Sequence, residues 1–322
     1  MISKEKPLVS VLLPVLNGEE YIKLSMDSIL EQTYSHIELI VLVDPSQDKT
    51  LEAVKSIKDR RIRIVADIVK AGLPASLNKG IQLAKGKYIA RQDHDDISLP
   101  TRIEKQVAFL EENGDYAIVG THSKILEGNK PTDRGHLHPA DYAHLRFLTI
   151  FNAYFVHGSV MIRKSALDDI GMYSEDPSRS PPEDFELWSR INRRYKMGNL
   201  SEPLYLYREI SSSITRTVNF DQQFIKICSE NIALELNSPI TFIHRAIPAL
   251  MLNKPELAEG NINFLKIKKI INQIAHKIES QHQNRGVDEL RKKFLDDLAI
   301  KYSIFCCNKS VLNRMYLKLS KI

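Results

Sequence analysis

The first 120 residues alternate apolar strand segments with amphipathic helix segments, and this alternation constrains the fold more than any other feature. Ile37–Val43 is almost continuously apolar and β-branched, which is typical of a strand covered on both faces. Strict alternation predicts an α/β fold: a mainly parallel sheet flanked by helices, with ligands at the carboxyl ends of the strands. The predicted strands are Val9–Val15, Ile37–Val43, Ile62–Val65 and Tyr88–Gln92, with helices at Tyr21–Gln32, Thr50–Lys58 and Leu73–Ala84.

The remaining chain is less regular and then becomes helical. We expect less regular structure over 121–155, with a helix at 140–151, and beyond it the strands Gly158–Arg163 and Leu204–Arg208 and the helix Asp184–Tyr195. The apolar pattern after Phe220 is helical. We therefore predict one domain over residues 1–219, with halves 1–120 and 121–219, and a helical region over residues 220–322.

Composition indicates a globular protein of the cytoplasm. Of the 322 residues, 43% are hydrophobic and 26% are charged, and no run approaches the 18 apolar residues of a membrane span. The N-terminus is short and polar, without the apolar stretch of a signal peptide. Three cysteines cannot form a disulfide framework, which indicates a reducing compartment.

Positive charge is concentrated in the last third of the chain. Residues 1–219 contain 29 lysines and arginines against 30 acidic residues, whereas residues 220–322 contain 16 against 10. A basic region can attract an anionic membrane surface or a nucleic acid, or it can simply be a solvated helical face. Because no aromatic residues are interleaved with the charges, we expect no nucleic-acid partner and allow a peripheral contact on the cytoplasmic face of the membrane.

Three carboxylates follow the predicted strand Tyr88–Gln92 in the run Asp93-His94-Asp95-Asp96. Like charges this close repel one another unless a positive group lies among them. A hard divalent cation takes oxygen ligands and leaves its other positions for phosphate oxygens and water. The alternative is that Asp96 or Ser98 caps the next helix, but capping accounts for only one of the three acids. The run therefore predicts a cation site.

Two further acids are placed where they could act on a ligand. Asp44 ends the predicted strand Ile37–Val43, where a carboxylate can accept a hydrogen bond from a base or a ribose, or can simply form an Asp-Pro-Ser turn. Asp184 lies at a predicted helix N-terminus, where the helix dipole favours an ionised acid. Such a carboxylate is suited to take a proton from a hydroxyl nucleophile, although acids in first turns are also common structural choices.

Other site classes have little support. The chain has neither a G-x-x-x-x-G-K-[ST] loop nor a G-x-G-x-x-G turn after the first strand, which argues against P-loop and dinucleotide sites. His136, His138, His144 and His157 fit no zinc-finger spacing, so we interpret them as loop and core residues.

The motifs together resemble those of the family 2 glycosyltransferases of the GT-A fold, with the acidic run in the place of a DXD motif. The resemblance covers roughly Val9 to Thr215 and rests on the order of the motifs. In chain order they are VSVLLPVLN at 9–17, EEYI at 19–22, DSILEQT at 27–33, GLPASLNKG at 72–80, AKGKYIAR at 84–91, the acidic run, PTRIEKQ at 100–106, HGSVMIR at 157–163, Glu183-Asp184 and Tyr207-Arg208.

This resemblance implies an inverting enzyme that transfers one sugar from a nucleoside-diphosphate sugar, in first place a UDP-sugar, to a hydroxyl group. The acceptor would be a glycan or a lipid-linked molecule in surface polysaccharide biosynthesis, and the enzyme a hexosyl- or N-acetylhexosaminyltransferase. Residues 1–120 would bind the nucleotide sugar, and residues 121–219 would form the acceptor half. The chain lacks the Gln-x-x-Arg-Trp motif of processive synthases, so a single transfer per encounter is expected.

The resemblance also implies roles for individual residues. Asp184 would be the general base, and Asp93, Asp95 and Asp96 would bind Mg²⁺ or Mn²⁺ together with the diphosphate. Arg91 and Arg163 would contact the diphosphate, unless they are structural ion pairs. The residues assigned to the nucleotide sugar, with Pro14 to Leu16 and Asp44 at the base and ribose, are Pro14, Val15, Leu16, Glu19, Asp44, Asn78, Arg91, Asp93 and Asp95.

Three positions depart from the family pattern. Leu16 stands where the family often has an aromatic residue, Val43 where it often has a first acid, and Glu209-Ile210 where many members have a histidine. Base stacking would then become aliphatic packing. The alternatives that remain are a protein that binds a nucleotide sugar without turnover and a metal-dependent nucleotidyltransferase.

Overall fold

The structure is a computed structural model that describes residues 6–66, 72–210, 218–282 and 287–319, with the side chains of residue 282 and residues 307–319 outside the description. Residues 211–215, which end the predicted family match, also lie outside it. The chain divides into two units. The first comprises Met1–Leu145 and Ala153–Asn219, and the second comprises Arg146–Asn152 and Phe220–Ile322.

The described part of the first unit contains nine strands and the helices that connect them. The strands are β1 Val9–Val15, β2 Ile37–Val43, β3 Ile62–Ala66, β4 Tyr88–Arg91, β5 Ile97–Ser98, β6 Tyr116–Glu127, β7 Lys130–His136, β8 Met161–Arg163 and β9 Lys196–Arg208. The helices are α1 Ile22–Leu30, α2 Thr50–Ser56, α3 Leu73–Leu83, α4 Arg102–Glu112, α5 Tyr142–Leu148, which spans the division between the units, α6 Lys164–Ile170 and α7 Glu183–Asn192.

The strands form one mixed sheet in the order β3-β2-β1-β4-β8-β6-β9-β5, with β7 paired to β6. Strands β1 to β4 are parallel to one another, β8 is antiparallel to both β4 and β6, and β6 is parallel to β9. The predicted α/β fold with a mainly parallel sheet and flanking helices is confirmed. The expectation of less regular structure over 121–155 is wrong for its first part, because most of β6 and the whole of β7 lie there, whereas the helix expected at 140–151 is present as α5.

Strand β1 shows why the first strands read as unbroken apolar runs. Val11 and Leu13 point into one core layer with Met26 and Ile29 of α1, whereas Leu12 points into the opposite layer with Leu77 of α3. Successive strand residues face opposite sides, so a sheet covered on both faces needs apolar residues at every position.

The order of the strands also determines where a ligand can bind. Strand β1 lies between β2 and β4 and is parallel to both, so the carboxyl ends of these three strands lie at one edge of the sheet. Ligands of open α/β sheets bind in the crevice that this arrangement creates. Both Asp44 and the acidic run follow strands that end at this edge.

The second unit is helical in its described part, with α8 Asp221–Glu235, α9 Phe242–Met251, α10 Phe264–His282 and α11 Val287–Leu319. Its interior contains a charged group: Glu235, which is 6% exposed, pairs with Arg146 at 2.6 Å and with Lys277 at 3.3 Å. No helix among the described residues is long and apolar enough to cross a membrane.

We predict that Glu235→Ala lowers the free energy of unfolding by about 3 kcal/mol, because it leaves the buried Arg146 without its carboxylate. Urea denaturation followed by circular dichroism measures the change. The control is Glu289→Ala, which removes an exposed acid of α11 and should cost less than about 1 kcal/mol. Equal effects of the two substitutions would contradict the assigned role of Glu235.

Candidate active site

The acidic run forms a turn that is stabilised by hydrogen bonds from the side chain of Gln92. This side chain is fully buried, and its amide nitrogen donates hydrogen bonds to the carbonyl oxygens of Asp93 (3.2 Å) and Asp96 (3.0 Å). The amide oxygen accepts a hydrogen bond from the Ser98 hydroxyl at 2.6 Å. The turn is therefore fixed before any ligand binds.

Asp93 is paired with the last residue of β4. Its Oδ1 accepts a hydrogen bond from Arg91 Nη2 at 2.8 Å, and Arg91 is only 3% exposed. Burial opposes the charged form of Asp93, but the Arg91 guanidinium outweighs it and holds the pKa of this carboxyl below its ordinary value. Asp93 is therefore ionised at neutral pH. Arg91 Nε has no hydrogen-bond partner among the described residues.

Asp95 and Asp96 are in the opposite electrostatic situation. Burial raises the pKa of both carboxyls, and the charge of Asp93 raises it further. Asp96 is 1% exposed, and its Oδ1 accepts a hydrogen bond from the Arg208 backbone N–H at 2.7 Å. Its Oδ2 is buried without a hydrogen-bond partner in the part of the chain that the structure describes.

A divalent cation would relieve this repulsion, and the carboxylate oxygens present suit Mg²⁺ or Mn²⁺. Within residues 6–66, 72–210, 218–282 and 287–319, however, no three histidine, cysteine, aspartate or glutamate side chains are grouped as metal ligands. Asp93 and Asp95 are the better candidates because they are half-buried, whereas Asp96 is only 1% exposed. The assignment of all three acids to a metal stays a prediction.

The second acidic pair, Glu183 and Asp184, begins helix α7. One oxygen of Asp184, Oδ1, accepts a hydrogen bond from the Phe185 N–H at 2.7 Å. Burial raises the pKa of both acids, and burial together with the charge of Asp184 raises that of Glu183 to about 7. The charges of Arg91 and Asp93 also act on the pKa of both acids. The two acidic groups belong to one site, because the adjacent residues His157 and Gly158 lie close to Glu183 and Asp93 respectively.

His157 lies between the two acidic groups. Its Nδ1 is 3.9 Å from a Glu183 carboxylate oxygen, and its Nε2 is 2.8 Å from the Tyr173 hydroxyl. Burial, together with the charge of Arg91, lowers the pKa of His157 to about 3, so the imidazole is neutral at pH 7. His157 therefore adds a polar neutral group to the site and no positive charge.

Tyr205 and Gly158 complete the surroundings of Asp93, and neither was predicted as a site residue. The Asp93 N–H donates a hydrogen bond to the Tyr205 hydroxyl at 3.1 Å. A Cβ atom on Gly158 would lie 2.0 Å from this hydroxyl and 2.6 Å from Asp93 Oδ2. Only glycine allows this approach. The quoted HGSVMIR motif contained Gly158, but it gave no sign that Tyr205 of β9 would contact it.

The loops after β1 and β2 are joined by backbone-to-side-chain hydrogen bonds. The Asn17 N–H donates to the Ser46 hydroxyl at 3.0 Å, and Asn17 Oδ1 accepts from the Gln47 N–H at 2.8 Å. Glu19 Oε2 accepts from the Lys49 N–H at 3.0 Å, so this exposed carboxylate is already engaged. Pro14 and Val15 are buried in β1, and Leu16 is half-buried at its end.

Asp44 and Asn78 are both buried, and both already have partners within the protein. Asp44 Oδ1 accepts a hydrogen bond from the Ser76 hydroxyl at 2.8 Å. The Asn78 amide exchanges two hydrogen bonds of 2.9 Å with the backbone of Tyr173, the residue that contacts His157. Direct contacts of either residue with a nucleotide stay predictions.

Arg163 has structural partners. Its Nε donates a hydrogen bond to the Tyr116 carbonyl oxygen at 2.7 Å, and its Nη2 donates to the carbonyl oxygens of Leu110 and Asn113. Because the Arg163 guanidinium already donates hydrogen bonds to three carbonyl groups, it is poorly placed to bind a diphosphate. A structural role is therefore favoured for this residue.

Comparison with known proteins agrees with this geometry. The model of the family described as glycosyl transferase family 2 matches residues 10–171, half of the chain. The chain belongs to this family. It is 36% identical over 214 residues to the putative glycosyltransferase EpsE of Bacillus subtilis (strain 168), covering 65% of this chain and 76% of EpsE. It is also 31% identical over 209 residues to the O-antigen biosynthesis glycosyltransferase WbnJ of Escherichia coli, covering 62% and 79%.

A solved structure supports the fold of this family 2 glycosyltransferase. TarS residues 1–349 from S. aureus, solved in complex with UDP-GlcNAc, aligns with a TM-score of 0.60 over 93% of this chain and 92% of that chain. The sequence identity is 16%, so the similarity concerns the fold alone. The predicted resemblance to GT-A glycosyltransferases is confirmed.

We predict that Gly158→Ala destabilises the protein by about 2 kcal/mol, because the added methyl group overlaps Tyr205 and Asp93. Adding Tyr205→Phe removes the nearest clashing atom and should restore part of this loss. The control is Gly114→Ala, since nothing lies within 4 Å of its Cβ position. Chemical denaturation of the four proteins tests the prediction, which is contradicted if Tyr205→Phe makes the Gly158→Ala variant still less stable.

Proposed function

We propose that this glycosyltransferase moves one sugar from a nucleoside-diphosphate sugar, in first place a UDP-sugar, to a hydroxyl of a glycan or lipid-linked acceptor, with inversion at the anomeric carbon. The observation that carries the proposal is that the adjacent residues His157 and Gly158 join the two acidic groups: His157 Nδ1 is 3.9 Å from a Glu183 carboxylate oxygen, and a Cβ atom on Gly158 would lie 2.6 Å from Asp93 Oδ2. TarS holds UDP-GlcNAc on the same fold, which supports a nucleotide-sugar donor. The name of WbnJ supports a role in surface polysaccharide biosynthesis.

The donor would lie along the carboxyl edge of β1, β2 and β4. The proposed base and ribose contacts are Pro14, Val15, Leu16 and Asp44, and the joined loops give this wall a fixed shape at little cost in entropy on binding. Leu16 would pack against the base as an aliphatic group. Glu19 and Asn78 would act by holding neighbouring segments, since their side chains already bind backbone groups.

Mg²⁺ or Mn²⁺ would be held by Asp93 and Asp95, with Asp96 behind them. A metal bound there stabilises the negative charge that develops on the departing diphosphate. Arg91 keeps Asp93 ionised and oriented. Arg208 holds the other side of the turn, because its Nε donates to the Asp95 carbonyl oxygen at 2.7 Å.

Asp184 would take the proton from the acceptor hydroxyl. Its Oδ1 is fixed by the Phe185 N–H, which orients the carboxylate and leaves Oδ2 for the substrate. Burial raises its pKa, and a base with a raised pKa removes a proton more readily than an exposed aspartate. Attack from the face opposite the diphosphate then inverts the anomeric centre.

We predict that Asp184→Asn lowers kcat about a thousandfold while the KM for the donor changes little, because the general base is lost and the donor contacts remain. The matched control is Glu183→Gln, the adjacent acid of the same helix turn, which should retain most of the activity. The assay measures nucleoside diphosphate released in the presence of Mn²⁺ and an acceptor.

The same assay gives a pH dependence. Because burial raises the pKa of Asp184, the base is protonated at low pH, and activity should rise with pH and level off at a higher pH than the ordinary pKa of an aspartate would give. If Glu183→Gln abolishes activity and Asp184→Asn retains it, the general base is Glu183. Release of pyrophosphate would support a nucleotidyltransferase, and binding without turnover would support a binding protein.

A lipid-linked acceptor would place the enzyme at the cytoplasmic face of the membrane, and the second unit has a surface that suits anionic lipid. Lys266, Lys268 and Lys269 of α10 are exposed beside Leu265, which is 77% exposed. None of these lysines pairs with a carboxylate among the described residues. Beyond residue 297 the sequence has five basic residues and no acidic one. Each lysine near an anionic surface contributes about 1 kcal/mol to binding.

We predict that the combined Lys266→Glu, Lys268→Glu and Lys269→Glu variant binds phosphatidylglycerol-containing vesicles at least about tenfold more weakly than the wild type. Co-sedimentation measures the binding. The control reverses three exposed lysines of the first unit, Lys23, Lys55 and Lys58, and should bind as the wild type does. A wild type that stays in the supernatant, or equal binding by both variants, would refute the membrane contact.

A further inference from the structure

Four flat side chains of the first unit form a continuous row, called the ring strip below. In order they are Tyr207, His136, His138 and Tyr154. Tyr207 meets His136 edge to face at 5.2 Å between ring centroids, His136 stacks on His138 at 5.9 Å, and His138 meets Tyr154 edge to face at 6.0 Å. These residues belong to three separate segments of the chain, and nothing in the sequence indicates that the segments meet.

Both ends of the ring strip lead to the candidate active site. Tyr207 lies two residues beyond Tyr205 on β9, so both side chains leave the same face of the strand, and the Tyr205 hydroxyl accepts the Asp93 N–H. Tyr154 lies three residues before His157, which is beside Glu183. At each end, a residue two or three positions from the strip therefore lies at the candidate active site.

The backbone beneath the ring strip is fixed. Asn199 Nδ2 donates hydrogen bonds to the carbonyl oxygens of Pro139 (2.9 Å) and Tyr154 (3.1 Å). A ring nitrogen of His122 binds the His138 carbonyl oxygen at 2.8 Å. A surface that is rigid before binding loses little entropy when a ligand settles on it, which favours recognition.

The rings of the strip are half-buried, which leaves part of each accessible. Burial lowers the pKa of His136, and burial with the neighbouring histidines lowers that of His138 to about 4, so both imidazoles are uncharged at pH 7. The strip thus presents half-buried, uncharged rings that combine apolar carbon with hydroxyl and ring nitrogen groups. A sugar ring has the matching chemistry, since its C–H groups form an apolar face and its hydroxyls surround that face.

Packing of β7 near β9 accounts for the contact of Tyr207 with His136, but not for the continuation of the row to Tyr154, three residues before His157. We propose that the ring strip is a sugar-binding subsite, which holds an uncharged sugar unit of the acceptor next to the unit that is glycosylated. This inference rests on the proposed function and makes it more specific: the acceptor is a glycan of at least two sugar units.

The test is binding of maltotriose, cellotriose and tri-N-acetylchitotriose, measured by saturation-transfer NMR at millimolar concentrations. At least one of these trisaccharides should bind the wild type. His136→Ala and Tyr207→Ala should each weaken that binding about tenfold, the loss expected when one stacking partner is removed. Tyr207→Phe keeps the ring and should bind nearly as the wild type does. Leu137→Ser, at a neighbouring side chain that is 73% exposed, is the matched control and should change nothing.

The inference is overturned if no trisaccharide binds the wild type, or if the two alanine variants bind as well as it does. Binding of UDP with Mn²⁺ to the same samples is measured in parallel. Retained UDP binding in every variant shows that the fold is intact, so that a loss of trisaccharide binding then concerns the subsite alone. If instead the proposed function is wrong, the wild type itself binds neither UDP nor GDP.

Discussion

The ion pair between Arg91 and Asp93 is the interaction on which the rest of the site depends. Arg91 is almost fully buried at the end of a central strand, and a buried guanidinium is tolerated only with a partner charge and hydrogen bonds. Its pairing keeps Asp93 ionised at the sheet edge. That negative charge in turn raises the pKa of Asp95 and Asp96 and acts on Glu183 and Asp184 across the site.

This pair is held by residues that are distant in the sequence. Arg102, fully buried at the start of α4, donates hydrogen bonds to the carbonyl oxygens of Arg91 at 3.0 Å and Gly158 at 3.2 Å. It thereby connects the end of β4 to the turn before β8. Tyr205 approaches from β9, and the guanidinium of Arg102 lies 5.4 Å from its ring centroid. The geometry around Asp93 is thus a product of the complete sheet rather than of the acidic run alone.

The contrast between β2 and β7 shows how far sequence reasoning reaches. Strand β2 was predicted to the residue because both of its faces are buried, which leaves an unbroken apolar run. Strand β7, Lys130–His136, was missed because nearly all of its residues are exposed and polar, so no apolar alternation marks it. Its pairing with β6 comes from backbone hydrogen bonds, for which the sequence carries little signal.

The candidate site likewise has features that the sequence predicts and features that it does not. The clustering of negative charge predicts a site at Asp93, Asp95 and Asp96. It does not predict that Asp96 accepts a hydrogen bond from Arg208, 112 residues away. Asn78 was assigned to the donor from a motif, whereas its amide holds the backbone of Tyr173. Residue type and order predict which groups gather at the sheet edge. Their individual partners depend on packing between distant segments.

Environment gives similar carboxyl groups different roles. Asp93 and Asp184 are both half-buried, yet the Arg91 guanidinium that bonds to Asp93 lowers the pKa of that acid, whereas the backbone hydrogen bonds of Asp184 and the charge of Arg91 do not overcome its burial and its pKa is raised. A permanently ionised acid suits the binding of a cation and a diphosphate. An acid with a raised pKa suits the removal of a proton. The ion pair with one arginine is therefore enough to distinguish the acid proposed to bind the cation from the acid proposed as the general base.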